Sequence, residues 1–533
     1  MSNQKKIVED GRAFCNSEQD AWRDHSPASS EIRDRIWRQV EDAFAILGRS
    51  SAQASFGEVE KAVISFSFVL GRLFLNYFLV WRNENSAGEI KKMKTAGTRA
   101  GPAQPRLLGS YFGKVRYWRT YLRRRGGSGL YPLDIALRLP ADGFSFLVMG
   151  IAARLSTMVS YDQVAGLILN FLSWSPSKMS IEKTVLGLGR YTAEWFETAP
   201  PPEGDGEVLI IQFDSKATPT ATDSELEKRR RKRGPRPATA PSPRHRGREK
   251  RRRRGSKTRR KKGDKSKNGR AATLVVMYTL REARDAKGRR ILEGPINRKF
   301  YGSYAAKRHA FAIARREANK RGFGPGSGKR IQIVTDGDED LTRYAWEFFP
   351  GVIHTLDVMH VMEHLWEAGG CLYKEGSQEL NAWVKKMEGL IYRGKAIEVV
   401  GLLAEAVAGI PKTGPGNKGK RERLESNRDY LFNRIDQMNY AWLRRQDLEL
   451  ASGSVEGAVN HVIAKRFDSG GMRWIRERAE ALLQLRCIDL NGDWVAFMAF
   501  VEEKVTQAAR RDRTTHRLLT WRPAPLPQLG LTA

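Results

Sequence analysis

Strand-length apolar runs alternate with helical patterns between residues 208 and 356, and this alternation restricts the fold more than any other feature of the sequence. The uninterrupted run Val208–Phe213 has the length and composition of a buried central strand. Alternating strands and helices are best buried as a mixed sheet flanked by helices, so we predict an α/β domain here. Further strands are predicted at 272–280, 330–334 and 352–356, a hairpin turn at 284–289, and helices at 305–321 and 341–348.

A strongly basic segment interrupts this pattern after the first strand. Residues 228–270 contain 23 Lys or Arg against two acids, with many Pro and Gly, so they cannot bury enough apolar surface to form a core. The segment supplies about +21 of the net charge of +33. We therefore predict a disordered loop, 220–270 at its widest, which binds polyanions without sequence specificity. Nucleic acid is the expected partner of so basic a chain.

Cysteine use points to a reducing compartment. Cys15, Cys371 and Cys487 lie far apart and form no CxxC pair, so neither a disulfide framework nor a zinc ribbon is expected. The first residues also lack the positive-then-apolar pattern of a signal sequence.

Residues 1 to about 200 are predicted to be mainly helical. The apolar stretch Ala62–Trp81 is about long enough to span a membrane. However, Lys61, Ser65, Arg72 and Asn76 form a narrow polar stripe on it, and an Arg at a bilayer centre costs about 2.5–3.5 kcal/mol. We therefore favour a buried core helix over a membrane span.

Two short helical patterns, Tyr161–Leu172 and Ile181–Tyr191, have the spacing of a helix-turn-helix. Pro176 would end the first helix, and Ser180 is placed to cap the second. An ordinary packed helix pair explains the same pattern equally well. In a helix-turn-helix, the side chains that would reach DNA phosphates are Lys178, Lys183 and Arg190.

Three acidic residues occupy positions where catalytic metal ligands would be expected. Asp214 directly follows the strand VLIIQF and Asp336 directly follows the strand IQIVT. If both strands are parallel, their carboxylates emerge at the same edge of the sheet. Glu456 falls in the first turn of a helix that Ser452 or Ser454 can cap, and a helix packed across the sheet would bring it to that edge.

Carboxylates gathered at one edge repel each other unless a cation lies between them. Magnesium prefers hard oxygen ligands, and two such ions about 3.5–4 Å apart can hold the attacking and leaving oxygens of a phosphoryl displacement. Each acid alone has a simpler explanation, because Asp after a strand often forms a turn and Glu in a first turn complements the helix dipole. The set of three, in this order and with a long helical insertion before the last, favours a metal site.

The residues around these acids resemble a known family. The stretch 430–486 resembles the C-terminal signature of bacterial insertion-sequence transposases of the ISKra type. It begins with YLFNRIDQMNYAWLRRQDLELASGSVEGAVNHVIAKRF. VTDG followed by FFPGVIHTLDVMHVMEHLW resembles their second block. The motif Pro132–Asp134 and the stretch Ser160–Gly189 are similar to the segment ahead of their core. The resemblance covers roughly residues 110–500.

This resemblance implies a DDE transposase related to the Mutator-like group, with an RNase H-like mixed sheet interrupted by an all-α insertion. Asp214, Asp336 and Glu456 would be the catalytic triad and would bind two Mg²⁺ ions, with Mn²⁺ as a substitute. The partners would be double-stranded DNA, both the terminal inverted repeats of the element and the target, and the chain would act as a homo-oligomer on DNA without a membrane. The expected location is the bacterial cytoplasm, associated with the nucleoid.

The implied organisation has six parts. They are an N-terminal helical region at 1–105, a helical DNA-binding region at 106–200, an RNase H-like core at 205–370, an all-α insertion at 371–450, a C-terminal helical part of the core at 451–510 and a flexible tail at 511–533.

The sequence departs from the family pattern near two of the acids. Asp214-Ser215-Lys216 replaces the usual Asp-Gly with a following Lys, and Ser454-Val455 replaces the Gly that usually precedes the last acid. The acids and the base are retained, so the assignment stands and Lys216 remains a candidate phosphate contact.

Two further groups of residues compete for a role. Asp357, His360 and His364 share one helical face and are compatible with a metal site, with an accessory role near the active centre, or with buried hydrogen bonding. Asp357 is also the alternative to Asp336 as the second catalytic acid. Basic and aromatic residues near Glu456 in the sequence are candidates for binding DNA. They are Lys465, Arg466, Arg473 and Trp474. Core packing explains Trp474 equally well.

Three other functions stay open at this point. A structure-specific nuclease on the same fold would share the acids but would not transfer strands. A catalytically inactive DNA-binding descendant would keep the basic surfaces. An RNA-binding protein could be built around the basic segment 228–270.

Overall fold

The computed structural model describes residues 25–50, 54–94, 97–124, 127–172, 174–221, 227, 269–468, 472–511 and 517–527. The predicted basic loop lies almost entirely outside these residues. The chain divides into two compact units. The first unit comprises Met1–Glu197 with Gly492–Ala524, and the second comprises Thr198–Asn491 with Pro525–Ala533.

Helices dominate the first unit. They are α1 (Ser29–Ser50), α2 (Phe56–Glu84), α3 (Ala87–Met93), α4 (Pro132–Ala136), α5 (Phe146–Met158), α6 (Tyr161–Leu172), α7 (Lys178–Leu188) and α8 (Thr192–Thr198), with α19 (Trp494–Arg511) contributed by the C-terminal part of the chain.

A three-stranded antiparallel sheet in the first unit departs from the mainly helical prediction. Strands β1 (Thr98–Ser110) and β2 (Gly113–Arg124) form a long hairpin, and β3 (Gly127–Leu130) pairs with β2. Asp134, from the Pro-Leu-Asp motif, is buried against this sheet and accepts a hydrogen bond of 2.8 Å from Arg106. The motif therefore supplies a core ion pair.

Helix α2 buries part of its polar stripe. Arg72 and Asn76 are buried, whereas Phe74, Phe78 and Trp81 are exposed. By length and composition α2 is the one helix in the described part of the chain that could cross a membrane, a test that the core helix of a soluble protein also passes. Only part of its surface is buried, and the choice of a core helix over a membrane span stays a prediction.

The second unit contains a five-stranded mixed sheet in the order β6-β5-β4-β7-β8. The pairings of β6 with β5 and of β5 with β4 are antiparallel. The pairings of β4 with β7 and of β7 with β8 are parallel. The predicted succession of strands and helices, and with it a mixed α/β fold, is confirmed. The strands are β4 (Val208–Pro219), β5 (Gly269–Arg284), β6 (Arg290–Ser303), β7 (Arg330–Thr335) and β8 (Ile353–Leu356).

Helices α9 and α10 follow β6 and β7, and every element between β8 and α16 is helical. The central strand β4 is buried as its composition predicts, and Phe213 stacks on Phe311 of α9 with ring centroids 3.9 Å apart. The helices are α9 (Lys307–Lys320), α10 (Glu339–Phe348), α11 (Val358–Leu372), α12 (Gln378–Tyr392), α13 (Ala396–Gly409), α14 (Asn417–Phe432), α15 (Tyr440–Arg445), α16 (Gly453–Val459), α17 (Lys465–Phe467) and α18 (Arg476–Leu490).

The C-terminal helical part predicted at 451–510 is not one continuous helix. A π-helical turn, Asn460–Ala464, joins α16 to α17, and an extended segment precedes α18. In that segment Trp474 pairs with the end of β4, because its backbone N–H donates to Pro219 at 3.1 Å. After this return to the sheet, α18 packs against β6.

Candidate active site

The parallel pairing of β4 with β7 places two of the predicted acids side by side. The last paired residues are Gln212 and Val334, and Asp214 and Asp336 each follow by two positions. Asp336 leaves the sheet after Thr335, as predicted. Asp214 does not, because β4 continues to Pro219 alongside β5. It marks the end of the parallel part of the strand.

The third acid reaches the same region because two buried glutamines hold the segment before its helix. The side-chain oxygen of Gln212 accepts hydrogen bonds from the Val455 N–H, at 3.0 Å, and from the Ser454 hydroxyl. On the neighbouring strand, the Gln332 side-chain amide donates to the Glu449 carbonyl at 2.7 Å and accepts from the Glu449 N–H at 3.0 Å. Helix α16, which carries Glu456, is therefore held against β4 at Gln212, where the parallel pairing of β4 with β7 stops.

Asp357 fixes this segment from the other side. Its carboxylate caps helix α11 by accepting from the Met359 N–H at 2.8 Å, and it also accepts from the Ser452 hydroxyl. Asp357 is 3% exposed. Its oxygens serve the helix cap and the α16 segment, and Asp336 likewise accepts from the Asp338 N–H at 3.0 Å, so the choice of Asp336 over Asp357 as the second acid stays a prediction.

The electrostatics of the three acids reflect their proximity. Burial raises the pKa of Asp214 above its ordinary value, and the negative charges of Asp336 and Glu456 raise it further. The Ser215 N–H, which donates to the carboxylate at 2.5 Å, and the nearby His360 oppose the rise in this pKa. Within the described residues, none of the three acids forms an ion pair with Lys or Arg, although the chain is rich in both.

Oxygen donors without a basic partner fit a divalent cation by their chemistry. Among the residues that the structure describes, however, no group of three or more His, Cys, Asp or Glu side chains is gathered closely enough to hold a metal ion. The three carboxylates therefore interact electrostatically without adopting coordinating geometry. The assignment of Asp214, Asp336 and Glu456 as metal ligands stays a prediction.

The two histidines near Asp357 have separate partners. His360 Nδ1 lies 3.1 Å from Glu363, on the exposed side of α11. His364 Nδ1 lies 2.5 Å from the Asn427 side-chain oxygen. His360 is near enough to Asp214 to lower its pKa, and within the described residues the two histidines do not group with Asp357 around a metal.

The candidate DNA contacts of the second unit divide into exposed and buried residues. Lys465 and Arg473 are exposed, and Lys216 on β4 is partly exposed. Arg466 and Trp474 are only 2% and 8% exposed, and the Arg466 guanidinium lies 4.8 Å from the centre of the Trp474 ring. A buried pair of this kind cannot grip a phosphate or stack on a base, so we correct the prediction and assign both to the core.

The helix pair of the first unit begins differently from the prediction. Helix α7 starts at Lys178, and Ser177 is its cap, accepting from the Ser180 N–H at 3.2 Å. Lys178 and Arg190 are exposed. Lys183 packs over the ring of Trp521, 4.8 Å from its centre. The first turn of α7 is therefore its most accessible part, while its later turns are buried.

Sequence analysis missed Gln212 and Gln332. Both are buried polar residues in otherwise apolar strands, and such residues require hydrogen-bond partners. That signal was available in the sequence, but the partner segment lies more than 100 residues away.

Comparison with protein-family models gives no match for this chain, and comparison with curated proteins gives none either.

Replacing Gln212 by Leu should destabilise the second unit and displace Glu456. The variant removes the acceptor of the Val455 N–H and a donor to the Ala451 carbonyl, and each buried group left unsatisfied costs about 1–3 kcal/mol. We expect a loss of about 2–4 kcal/mol in urea unfolding. Gln437→Leu is the control, because Gln437 is buried but its side-chain oxygen has no hydrogen-bond partner among the described residues. Equal losses in both variants would contradict the assigned role.

Proposed function

We propose that this chain is a DDE-type DNA transposase with an RNase H-like core. It would cleave DNA at the ends of a mobile element and join the freed ends to target DNA. The observation that carries the proposal is that Asp214 and Asp336 lie two residues beyond the parallel pairing of β4 with β7, where the helix of Glu456 is bonded to Gln212 of β4. The strand order β6-β5-β4-β7-β8, with only its last two pairings parallel, supports the RNase H-like assignment.

The acids would act as a unit. Bound Mg²⁺, or Mn²⁺ in its place, would activate water and neutralise the developing charge of an in-line phosphoryl displacement, and two ions are expected. Asp214 and Asp336 would hold the ions from the sheet, and Glu456 would complete the site from α16. The buried bonds of Gln212, Gln332 and Asp357 would keep the α16 segment fixed, which lowers the cost of assembling the site.

The DNA itself would be held by charge. Lys465, Arg473 and Lys216 are accessible cations in the same unit as the acids. The segment 228–270 would add salt-sensitive affinity without sequence preference, because such binding follows the release of counterions from DNA. We further propose that the first unit recognises the inverted repeats and that a homo-oligomer pairs both ends in the bacterial cytoplasm.

A joining assay tests the proposal. The full chain is incubated with labelled duplex from the DNA flanking its coding region, a supercoiled plasmid and Mg²⁺, with EDTA as the control. The proposal predicts label joined to plasmid only with Mg²⁺, and none with Asp336→Asn. Cleavage without joining would indicate a nuclease, whereas binding without chemistry in any divalent metal would indicate an inactive DNA-binding protein. Specific binding that disappears when 228–270 is deleted, with preference for RNA, would indicate an RNA-binding protein.

A further inference from the structure

The turn that carries Asp336 is held by two side chains from the helical region. The hydroxyl of Tyr430, in α14, donates to the backbone carbonyl of Asp336 at 2.7 Å. Just after the same helix, Nε of Arg434 donates to the carbonyl of Gly337 at 2.7 Å. These two bonds grip consecutive peptide groups from one side. We call Tyr430 and Arg434 the turn clamp.

Gly337 shows that this approach is too close for any other residue. Its φ is +80°, in the left-handed region that favours glycine. A Cβ atom there would lie 2.5 Å from the Tyr430 hydroxyl oxygen and 2.8 Å from Arg434 Nε. Both the backbone conformation and the contact distance require glycine, so the turn and the clamp fit each other closely.

The clamp is itself fixed by neighbouring side chains. The Arg434 guanidinium lies 4.1 Å from the centre of the Tyr430 ring, and its Nη1 donates to the Tyr430 carbonyl at 3.0 Å. On the opposite side the ring stacks on His364 of α11, with centroids 3.6 Å apart. His364 is in turn 2.5 Å from the Asn427 side chain of α14. The position of the Asp336 turn is thereby tied to the position of α14.

We propose that Tyr430 and Arg434 are positioning residues that make divalent-cation binding at Asp336 depend on the position of helix α14. This inference rests on the proposed function, since it assumes that Asp336 is a metal ligand. Groups that orient a ligand from behind commonly change metal affinity by about 10–100-fold when removed. The Asp336 carbonyl belongs to the Asp336–Gly337 peptide and the Gly337 carbonyl to the Gly337–Asp338 peptide, so the two hydrogen bonds fix the planes of both peptides that follow Asp336, and with them the direction of its side chain.

The test measures Mn²⁺ binding to the full chain by calorimetry, with cleavage recorded as a function of Mn²⁺. For Tyr430→Phe we expect the dissociation constant for Mn²⁺ to rise about tenfold, and cleavage at saturating Mn²⁺ to recover towards the wild-type rate. Arg434→Lys keeps the charge but loses the planar Nε donor, and it should shift the affinity in the same direction. It serves as the second variant should Tyr430→Phe fold poorly.

The controls remove similar bonds elsewhere in the unit. Tyr301 of β6 donates to the Glu317 carboxylate at 3.2 Å, and Arg281 of β5 donates to the Gly204 carbonyl at 2.8 Å. Tyr301→Phe and Arg281→Lys should lower the melting temperature without changing Mn²⁺ affinity. If both clamp variants bound Mn²⁺ with wild-type affinity, or if the controls shifted the affinity equally, the proposed role of the turn clamp would be overturned. Absence of Mn²⁺ binding by the wild type would instead refute the proposed function.

Discussion

Asp336→Asn should reduce DNA cleavage by at least about a thousandfold while leaving the protein folded. The change removes one negative charge from the acid that follows β7 and keeps the side chain's shape, so the Asp338 N–H can still be bonded at the same place. Cleavage would be lost because the remaining acids cannot hold the ions in line with the scissile phosphate. The measurement is single-turnover cleavage of labelled duplex at saturating Mg²⁺.

Asp338→Asn is the matched control for that experiment. Asp338 lies two residues further on, caps α10 and pairs with Lys307 at 2.6 Å. Asn is also an effective helix cap, so this variant removes the same charge from the same loop at little cost in stability. We expect cleavage within about threefold of the wild type. Similar losses in both variants would show that the effect is general charge rather than metal coordination.

Asp214→Asn should abolish cleavage to a similar extent and at the same time stabilise the metal-free protein. Burial and the charges of Asp336 and Glu456 raise the pKa of Asp214 in the folded state. The folded state therefore holds the proton more tightly than the unfolded state, and stability falls as the pH rises from about 4 through the raised pKa. At neutral pH the ionised carboxylate is a cost that Asn avoids.

The expected rise in melting temperature in EDTA at pH 7 is about 2–4 °C, and it should vanish near pH 3, where the wild-type carboxyl is protonated. Added Mg²⁺ should narrow the difference, since the cation would stabilise only the wild type. A variant that melts below the wild type at pH 7 in EDTA would contradict the electrostatic account of the site.

The mixed sheet could be predicted because its information is local. The apolar run at the start of β4, the short runs of β7 and β8, and the turn between β5 and β6 each carry their own composition signal. The sheet of the first unit could not be predicted in this way. Its strands contain Gly101, Pro102 and Pro105, which mark loops by composition, and many Arg side chains, which hide the alternation of buried and exposed positions.

The candidate site likewise contains residues that local sequence reveals and residues that it does not. Asp336 and Glu456 could be placed from the sequence, after a strand and in the first turn of a helix, whereas Asp214 lies inside β4, which runs on to Pro219. The groups that hold them in place depend on contacts across the chain. Gln212 meets the segment before Glu456, and Tyr430 meets the turn of Asp336, at separations of 243 and 94 residues.

Burial also decides the role of charged and aromatic residues, and the sequence does not reveal it. Arg466 and Trp474 stand in a basic stretch that resembles a DNA-binding surface, yet they pack against each other inside the protein. Lys465, beside Arg466 in the chain, points to solvent because one residue step along a helix turns the side chain by about 100°.

A crystal of the full chain soaked in Mn²⁺ and measured for anomalous scattering tests the central claim most directly. We predict manganese between Asp214 and Asp336, with carboxylate oxygens at about 2.1 Å and Glu456 completing the ligand set. No manganese at this edge of the sheet under saturating Mn²⁺, or an ion bound without either aspartate, would contradict the account.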